Sequence, residues 1–417
     1  MDTRLICLRM VTGWCAALGL AVSPVAAQDA APQKRPLPIP VKAGPRAIEC
    51  VVTFGPAIPV AAIAFSPDGK RLAVAGYHEV VIWDLENARL ARRIGAGQWA
   101  TVGALAFLPD GQLAVGEGTP YGDGSVRLVN VDDGEQIHRF DEPDDGVYAL
   151  AASPDGKLLA AGGGDRLARV WTLADRKLAA TLKEHNGQIS GIAFSRDGKR
   201  LATASLDKTV QVWEVGTWTR TIKFREKEPV HGAVFGSDPK MVFLAVGGAT
   251  QRSITYRRTD NVRYVRAFST GVGMPLGIVW DAKTNRMIVP CSDGIVRAMD
   301  ANGRTLATYA GDKDWIYAAA LSPDGARLAA GSGDGTVKIW HVAEKRLLAT
   351  LIQLAPRTDD WLIVTAQGYL AASATGAVAW KGDNLKTTPE QLIALLQKPD
   401  LVQQTLAGKK VKPPAIP

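Results

Sequence analysis

The fold of this chain is decided by the stretch HNGQISGIAFSRDGKRLATASLDKTVQVWEVGTWTR, residues 185–220. A short apolar run leads into the turn Arg196-Asp197-Gly198, and a second apolar run follows it. A Leu-Asp-Lys turn then leads to an alternating run that ends near Trp213. Period-two alternation between turn residues predicts short antiparallel strands. With the fourth run that follows each copy, such as RLLATL at 346–351, the unit is a four-stranded sheet.

This unit recurs along the chain. Its turn aspartates are Asp68, Asp110, Asp155, Asp197 and Asp324, and the first four are separated by 42, 45 and 42 residues. The 127 residues between the last two leave room for two degraded copies, which begin at Ala233 and Gly277. A four-stranded sheet cannot bury both faces alone, and radial stacking of such sheets solves this problem. Seven units with this period therefore predict an all-β propeller.

The two ends of the repeat region hold further strands. DDWLIVTAQGYLAASATGAVAWKGD, Asp359–Asp383, predicts three short strands, and IECVVTF, Ile48–Phe54, predicts one without a blade of its own. If the N-terminal strand completes the last blade, the ring loses an open edge. We therefore favour eight blades. If Asp359–Asp383 packs outside the ring, the alternative is seven.

These repeats resemble the WD-repeat family from about Ile48 to Lys381. At the tryptophan position of the third strand, only Trp83-Asp84 spells the dipeptide that names the family, and the terminal segment resembles the ends of exported bacterial members. In the family, four side chains of a blade form a series of hydrogen bonds that ties its loops together. The resemblance implies such a structural tetrad at His185, Thr203, Asp207 and Trp213.

The ends of the chain predict export. Arg4 and Arg9 precede the apolar stretch Met10–Val22, and Val25-Ala26-Ala27 offers small residues for cleavage after Ala27. Thirteen apolar residues are too few for a membrane span, which needs about 20. Residues 1–27 are therefore predicted to be a signal peptide, and the mature protein to be periplasmic or secreted.

The remaining boundaries follow from composition. Residues 28–47 are a Pro-rich linker, residues 48–383 are the propeller, and residues 384–417 form short helices and a tail on its rim. Thr388-Pro389-Glu390 predicts the start of the first helix, because threonine caps well and proline suits the first turn.

Composition restricts the class of partner. Of 417 residues, 47% are hydrophobic and 22% are charged, which is typical of a folded protein. The net charge is +8, but basic runs are short and scattered, so we expect no nucleic acid partner. After cleavage only Cys50 and Cys291 remain, so a disulfide framework is not expected. We expect a monomer without a membrane span.

Catalytic signatures are missing from the sequence. It contains no Cys-x-x-Cys-His, His-Glu-x-x-His, Gly-x-Ser-x-Gly or phosphate-loop motif. Its five histidines lie in different blades without ligand spacing. The acidic residues between Asp141 and Asp145 match no calcium loop. We therefore predict a protein that is not an enzyme and has no cofactor or metal.

The prediction for binding rests on one face. The loop before each first strand and the turn between the second and third strands should surround one mouth of the channel. Residues at the start of the first strands vary: Ala61, Gly103, Tyr148, Ser190, His231, Leu276 and Tyr317. Aromatic and arginine side chains dominate interface energies. The predicted partner-binding residues are Tyr77, Trp99, Tyr121, Tyr148, Arg166, His231, Arg252, Trp315 and Tyr317, whereas Trp361 is predicted to be core.

Two functions are consistent with this pattern. The first is a non-catalytic scaffold that docks a protein or peptide on the loop face outside the cytoplasm. The alternative is an enzyme or sensor that holds a small ligand or a quinone cofactor in the channel. That function needs charged groups to converge on the channel, and Arg166, His231 and Asp145 are the candidates by position.

Overall fold

The structure, a computed structural model, describes residues 35–43, 46–55, 58–76, 78–95, 99–263, 265–311, 314–381 and 387–415. The predicted signal peptide, residues 28–34 of the predicted linker, and Tyr77 lie outside the described residues.

Seven consecutive groups of four antiparallel strands follow the repeats, and we call them blades 1 to 7. Blades 1 to 4 comprise β3 (Ile63–Phe65), β4 (Arg71–Ala75), β5 (Val80–Asp84), β6 (Arg89–Ile94); β7 (Val102–Phe107), β8 (Leu113–Gly118), β9 (Gly124–Val129), β10 (Gln136–Phe140); β11 (Val147–Ala152), β12 (Leu158–Gly163), β13 (Ala168–Thr172), β14 (Leu178–Leu182); and β15 (Ile189–Phe194), β16 (Arg200–Ser205), β17 (Thr209–Glu214), β18 (Arg220–Arg225). Blades 5 to 7 comprise β19 (Val230–Phe235), β20 (Met241–Gly247), β21 (Arg252–Arg258), β22 (Val265–Ser269); β23 (Val279–Asp281), β24 (Arg286–Pro290), β25 (Ile295–Asp300), β26 (Thr305–Ala310); and β27 (Ile316–Leu321), β28 (Arg327–Ser332), β29 (Thr336–His341), β30 (Arg346–Gln353).

The repeated Asp-Gly turns join the first and second strands. In blade 1, the Ser66 hydroxyl donates to Asp68 over 2.5 Å and accepts from the Arg71 amide over 2.9 Å. Gly69 has φ +70°, a conformation that glycine adopts at little cost. The same hydroxyl–carboxylate pair recurs at Ser153, Ser195 and Ser322. Local side-chain hydrogen bonds therefore stabilise each of these turns, which is why the sequence alone predicts them.

The core lies between neighbouring blades. Between blades 2 and 3, for example, Leu128 and Phe140 pack in one cluster with Leu159 and Trp171. Phe140 and Trp171 have ring centroids 4.8 Å apart, and both side chains are buried. Each sheet thus removes its faces from water against its neighbours, and the predicted all-β propeller is confirmed.

The ring closes between blades 7 and 1. The first strands contact one another in chain order, and β27 then contacts β3. The Val60 amide donates to the Ser332 carbonyl over 3.1 Å, and Arg327 donates to the Gly69 carbonyl over 2.7 Å. The Arg327 guanidinium also lies 5.8 Å from the centre of the Phe65 ring.

The terminal strands lie outside this ring. These are β31 (Trp361–Thr365), β32 (Leu370–Ala372), β2 (Arg46–Phe54) and β33 (Val378–Lys381). Strand β31 pairs with β30, so β31 and β32 extend the sheet of blade 7 instead of starting a new radial sheet. Strand β2 pairs with β33 in a separate sheet. The described strands therefore form eight antiparallel sheets, in agreement with the predicted all-β propeller with short C-terminal helices: seven follow one another around the channel, and the sheet of β1, β2 and β33 packs beside the extended sheet of blade 7.

Part of the predicted linker forms a strand. Arg35–Ala43 is β1, and it pairs with β2 at the edge of the outer sheet. Thr53 lies opposite Pro36, and its amide donates away from β1, to the Ala377 carbonyl beside β33. Two directly opposed residues of antiparallel strands point their amides either toward each other or away from each other, so the backbone nitrogen of Pro36 points away from β2. Pro38 and Pro40 share its alternation. The open edge of β1 thus lacks three amide donors, which hinders the addition of another strand.

The two C-terminal helices match the predicted boundaries closely. They are α1 (Pro389–Leu396), capped by Thr388 in a reciprocal pair with Gln391, and α2 (Pro399–Leu406). Helix α1 buries Leu396 in the cluster of the outer sheet, whereas α2 buries Leu406 in the cluster between blades 7 and 1. No helix in the described part of the chain is long and apolar enough to cross a membrane.

Candidate functional site

The two predicted classes of loop meet on one side of the disc. In blade 3, the Gly164 amide, in the turn between β12 and β13, donates to the Gly146 carbonyl in the loop before β11 over 2.9 Å. In blade 7, the Gly333 amide donates to the Trp315 carbonyl over 2.9 Å. These bonds hold the loops together around one mouth of the channel, and we call this side the loop face.

A central channel with a volume of about 1030 Å³ opens between the first strands. All seven residues predicted at the starts of those strands line it: Ala61, Gly103, Tyr148, Ser190, His231, Leu276 and Tyr317. Most other lining positions near the inner strands are glycine, alanine or aliphatic residues. A Cβ added at Gly191 would lie 2.8 Å from the Cα of Gly232, so neighbouring inner strands approach closely there. The channel wall is therefore mainly apolar, and its polar groups gather at the loop face.

Among the residues that the structure describes, Tyr121 is the most exposed large hydrophobic side chain. It lies in the turn between β8 and β9, it lines the channel mouth, and 95% of its surface is accessible. Its φ is +60°, which is rare for a residue with a Cβ. Its backbone amide donates to Asp145 Oδ1 over 3.1 Å. Several other turns of the propeller share this backbone conformation, but at Tyr121 it displays an aromatic ring to water, which packing does not require.

The other predicted aromatic residues are less exposed. Trp99 is half-buried: the Arg127 guanidinium lies 5.2 Å from its ring centre, and the ring packs on the core between blades 1 and 2. Trp315 lies 6.0 Å from Tyr317, and both are half-buried. Trp361, the predicted core residue, is half-buried and packs edge-on against Trp83 at 6.2 Å. Trp99 thus has a clear structural role beside any role in binding.

The predicted basic residues fall in different environments. Arg166 is exposed and lines the channel mouth. Arg252 is exposed but lies outside the channel lining, where it donates to the Val272 carbonyl over 2.6 Å. His231 is only 3% exposed, so it is part of the channel wall and not of an open docking surface. Arg166, His231 and Asp145 do converge on the channel, as the small-ligand hypothesis required.

The predicted tetrad of blade 4 forms one series of hydrogen bonds. Trp213 Nε1 donates to Thr203 Oγ1 over 3.1 Å, and Thr203 Oγ1 lies 2.8 Å from His185 Nε2. His185 Nδ1 lies 3.1 Å from Asp207 Oδ2. This geometry suits a histidine that accepts at Nε2 and donates at Nδ1. Burial alone would raise the pKa of Asp207, but hydrogen bonds from His185, Thr209 and the Asn186 amide outweigh it and lower that pKa strongly.

Other blades replace the tetrad with an arginine–carboxylate pair, which our sequence reasoning missed. Arg169 pairs with Asp165 in blade 3, and Arg297 pairs with Asp293 over 2.6 Å in blade 6. Arg169 occupies the position in blade 3 that Gln211 occupies in blade 4. Each lies two residues before the tryptophan of the third strand and opposite a residue of the second strand. An acid four residues before an arginine, at the turn into the third strand, is the sequence signal that would have found these pairs.

His231 makes stability depend on pH. Burial lowers the pKa of His231 to about 4 from its ordinary 6.5, so the unfolded chain binds the proton more tightly. The stabilising contribution is present above pH 6.5 and is lost as pH falls toward 4. From pH 7 to pH 5, the free energy of unfolding should fall by about 2 kcal/mol through this group. Urea unfolding of the wild type and of His231→Gln measures it, and an equal pH dependence in both would contradict the assignment.

The architecture defines the class of protein as a β-propeller with an apolar channel and one loop face. The model of the WD40 family, described as WD domain, G-beta repeat, matches residues 48–84, 134–172, 176–214 and 303–341. The chain therefore contains WD40 repeats, as the sequence resemblance predicted.

Curated relatives carry the same type of repeat. The cell division cycle 20.6 protein of Arabidopsis thaliana, a cofactor of the APC complex, is 24% identical over 68% of this chain and 58% of its own length. The human angio-associated migratory cell protein is 26% identical over 63% of this chain and 53% of its own length. The small ribosomal subunit protein RACK1 of Caenorhabditis elegans is 29% identical over 30% of this chain and 37% of its own length. The chain thus spans between about a third and just over half of the length of these relatives.

Proposed function

We propose that this protein is a non-catalytic interaction scaffold that docks a protein or an extended peptide on its loop face. The observation that carries the proposal is Tyr121, an aromatic side chain with 95% of its surface exposed at the mouth of the channel. Aromatic rings bury much area with little loss of rotamer entropy, so they often centre an interface. Arg166, exposed at the same mouth, adds a donor that suits protein recognition.

The names of the relatives support the same class of function. One is described as a cofactor of the APC complex and another as a small ribosomal subunit protein, so both are described with larger assemblies. We infer that this protein is a monomer that contributes a binding surface and catalyses no reaction.

The place of action belongs to the proposal too. The basic start, the apolar stretch Met10–Val22 and the small residues before Gln28 favour cleavage and export. We therefore propose a periplasmic or secreted scaffold of the exported bacterial type. Its partner would be another exported protein.

A second candidate function is a small-ligand sensor or an enzyme with a quinone cofactor. One observation favours it: Arg166, His231 and Asp145 all line the channel of about 1030 Å³. The residues that the structure describes contain no group of three or more potential metal ligands. An absorbance band of the purified protein in the visible range would promote this function above the scaffold.

Truncation of Tyr121 tests the scaffold. We expect Tyr121→Ala to weaken binding of a partner purified from the envelope fraction by about 2 kcal/mol, roughly 30-fold, without a change in melting temperature. The matched control is Val262→Ala, which shortens a side chain that is 52% exposed on the opposite side of the disc. Equal affinity of Tyr121→Ala and wild type, measured by calorimetry, would remove the proposed surface.

A further inference from the structure

Asp145 occupies a special position at the mouth of the channel. Its Oδ1 accepts from the amides of Tyr121 and Gly146, over 3.1 and 2.6 Å. Its carboxyl group lies over Gly164, where an added Cβ would be 2.4 Å from Oδ2. Among the described residues, no hydrogen bond reaches Oδ2. One oxygen therefore fixes the loop that displays Tyr121, and the other remains available.

Every other carboxylate that lines the described channel has a side-chain partner. Asp207 pairs with His185, and Asp165 and Asp144 share Arg169. Asp145 has no basic partner within the described structure, and the exposed Arg166 of the adjoining turn forms no ion pair with it. Along the described lining, Asp145 is thus the carboxylate that only backbone amides hold.

The surroundings of Asp145 favour a positive charge on an apolar stem. Burial raises the pKa of Asp145, since the two amide hydrogen bonds do not offset the loss of water, and Asp165 adds a like charge. The ring of Tyr148 lines the same mouth, and the charge of Asp145 adds to the burial that raises the pKa of Tyr148. A cation between a carboxylate and tyrosine faces gains both charge pairing and contact with the ring quadrupole.

We propose that the channel mouth beside Asp145 receives an arginine or lysine side chain from an extended segment of the partner. The cation pairs with Asp145 Oδ2, its methylene stem packs along the apolar wall, and Tyr121 covers it from the solvent side. This inference rests on the proposed docking function, and it names the chemistry of the segment that docks. The geometry that carries it is a mainly apolar channel, a carboxylate without a side-chain partner at its mouth, and an exposed tyrosine held by that same carboxylate.

The experiment uses a matched pair of probes. The tripeptide acetyl-Ala-Arg-Ala-amide and its citrulline counterpart have nearly the same shape, but only the first carries a charge. We expect the protein to bind the arginine peptide at least tenfold more tightly than the citrulline peptide in NMR titrations. Asp145→Asn should remove this preference. Asp123→Asn, which removes an exposed charge from the Tyr121 turn outside the channel lining, should change affinity less than twofold.

The possible outcomes separate this inference from the scaffold function. Absence of binding to the arginine peptide, equal binding of both peptides, or an equal loss in Asp123→Asn and Asp145→Asn would each overturn it. If any of these occurs while Tyr121→Ala still weakens binding of the purified partner, the scaffold stands and only the cationic segment is wrong. If circular dichroism shows that Asp145→Asn is unfolded, the ratio of the affinities of the wild type for the arginine and citrulline peptides still tests the inference.

Discussion

Replacing Glu79 with alanine should lower the free energy of unfolding by about 3 kcal/mol, because it removes a fully buried carboxylate that accepts from the largely buried Arg93 guanidinium and from two groups of another segment. Glu79 has no exposed surface. It accepts from Arg93 Nε over 2.7 Å, from Gln353 Nε2 over 2.9 Å and from the Arg357 amide over 3.2 Å. The carboxylate thus joins blade 1 to the end of β30 and the loop beyond it, at the point where the ring closes.

Chemical denaturation of the wild type and Glu79→Ala measures this change. The matched control is Asp132→Ala, which breaks an ion pair with Arg71 at the surface, where the aspartate side chain is 70% exposed. Because water screens exposed pairs, we expect the control to cost less than about 1 kcal/mol. Equal losses in the two variants would show that the Glu79 network does not stabilise the closure.

Replacing Thr203 with valine should cost about 2 to 4 kcal/mol, since two buried nitrogens would lose their partner. Valine keeps the shape of threonine, but it cannot accept from Trp213 Nε1 or donate to His185 Nε2. Thr203 is fully buried, so water cannot replace the hydroxyl without opening the blade. Denaturant unfolding measures the loss, and tryptophan fluorescence reports whether Trp213 is released.

The chain offers a close control for this variant. Thr365 is 1% exposed, and its hydroxyl has no hydrogen-bond partner among the described residues. Thr365→Val removes the same atom from an equally buried site, so it should be neutral or slightly stabilising. If both valine variants lose the same stability, the tetrad contributes nothing beyond packing.

Much of the channel lining was predictable, but its exposed aromatic residue was not singled out. All seven residues at the starts of the first strands line the channel, because strand alternation and the repeat period fix their direction. Tyr121, Trp99 and Trp315 were all predicted to bind a partner, but their exposure in the structure is not alike. It differs because Arg127 covers Trp99 and Tyr317 lies near Trp315, whereas the turn of Tyr121 projects into water.

The sequence did not indicate which charged residues are buried, because their partners lie far away in the chain. Glu79 and Gln353 are 274 residues apart in the chain, yet they are hydrogen-bonded. No local pattern identifies such a pair, since each residue alone is typical of a solvated loop. The pairs of Asp165 with Arg169 and Asp293 with Arg297 are different, because their spacing of four residues was visible.

The sequence alone determined the repeat, its turns, the blade 4 tetrad and the C-terminal helices, because each depends on residues within one unit of about 42 positions. Only the tertiary structure decided how the ends are placed. Strand β31 pairs with the free edge of β30, and the proline-rich β1 pairs with β2 outside the ring. Strand edges are chemically alike along any chain, so the choice among them is made by packing between distant segments and not by local sequence.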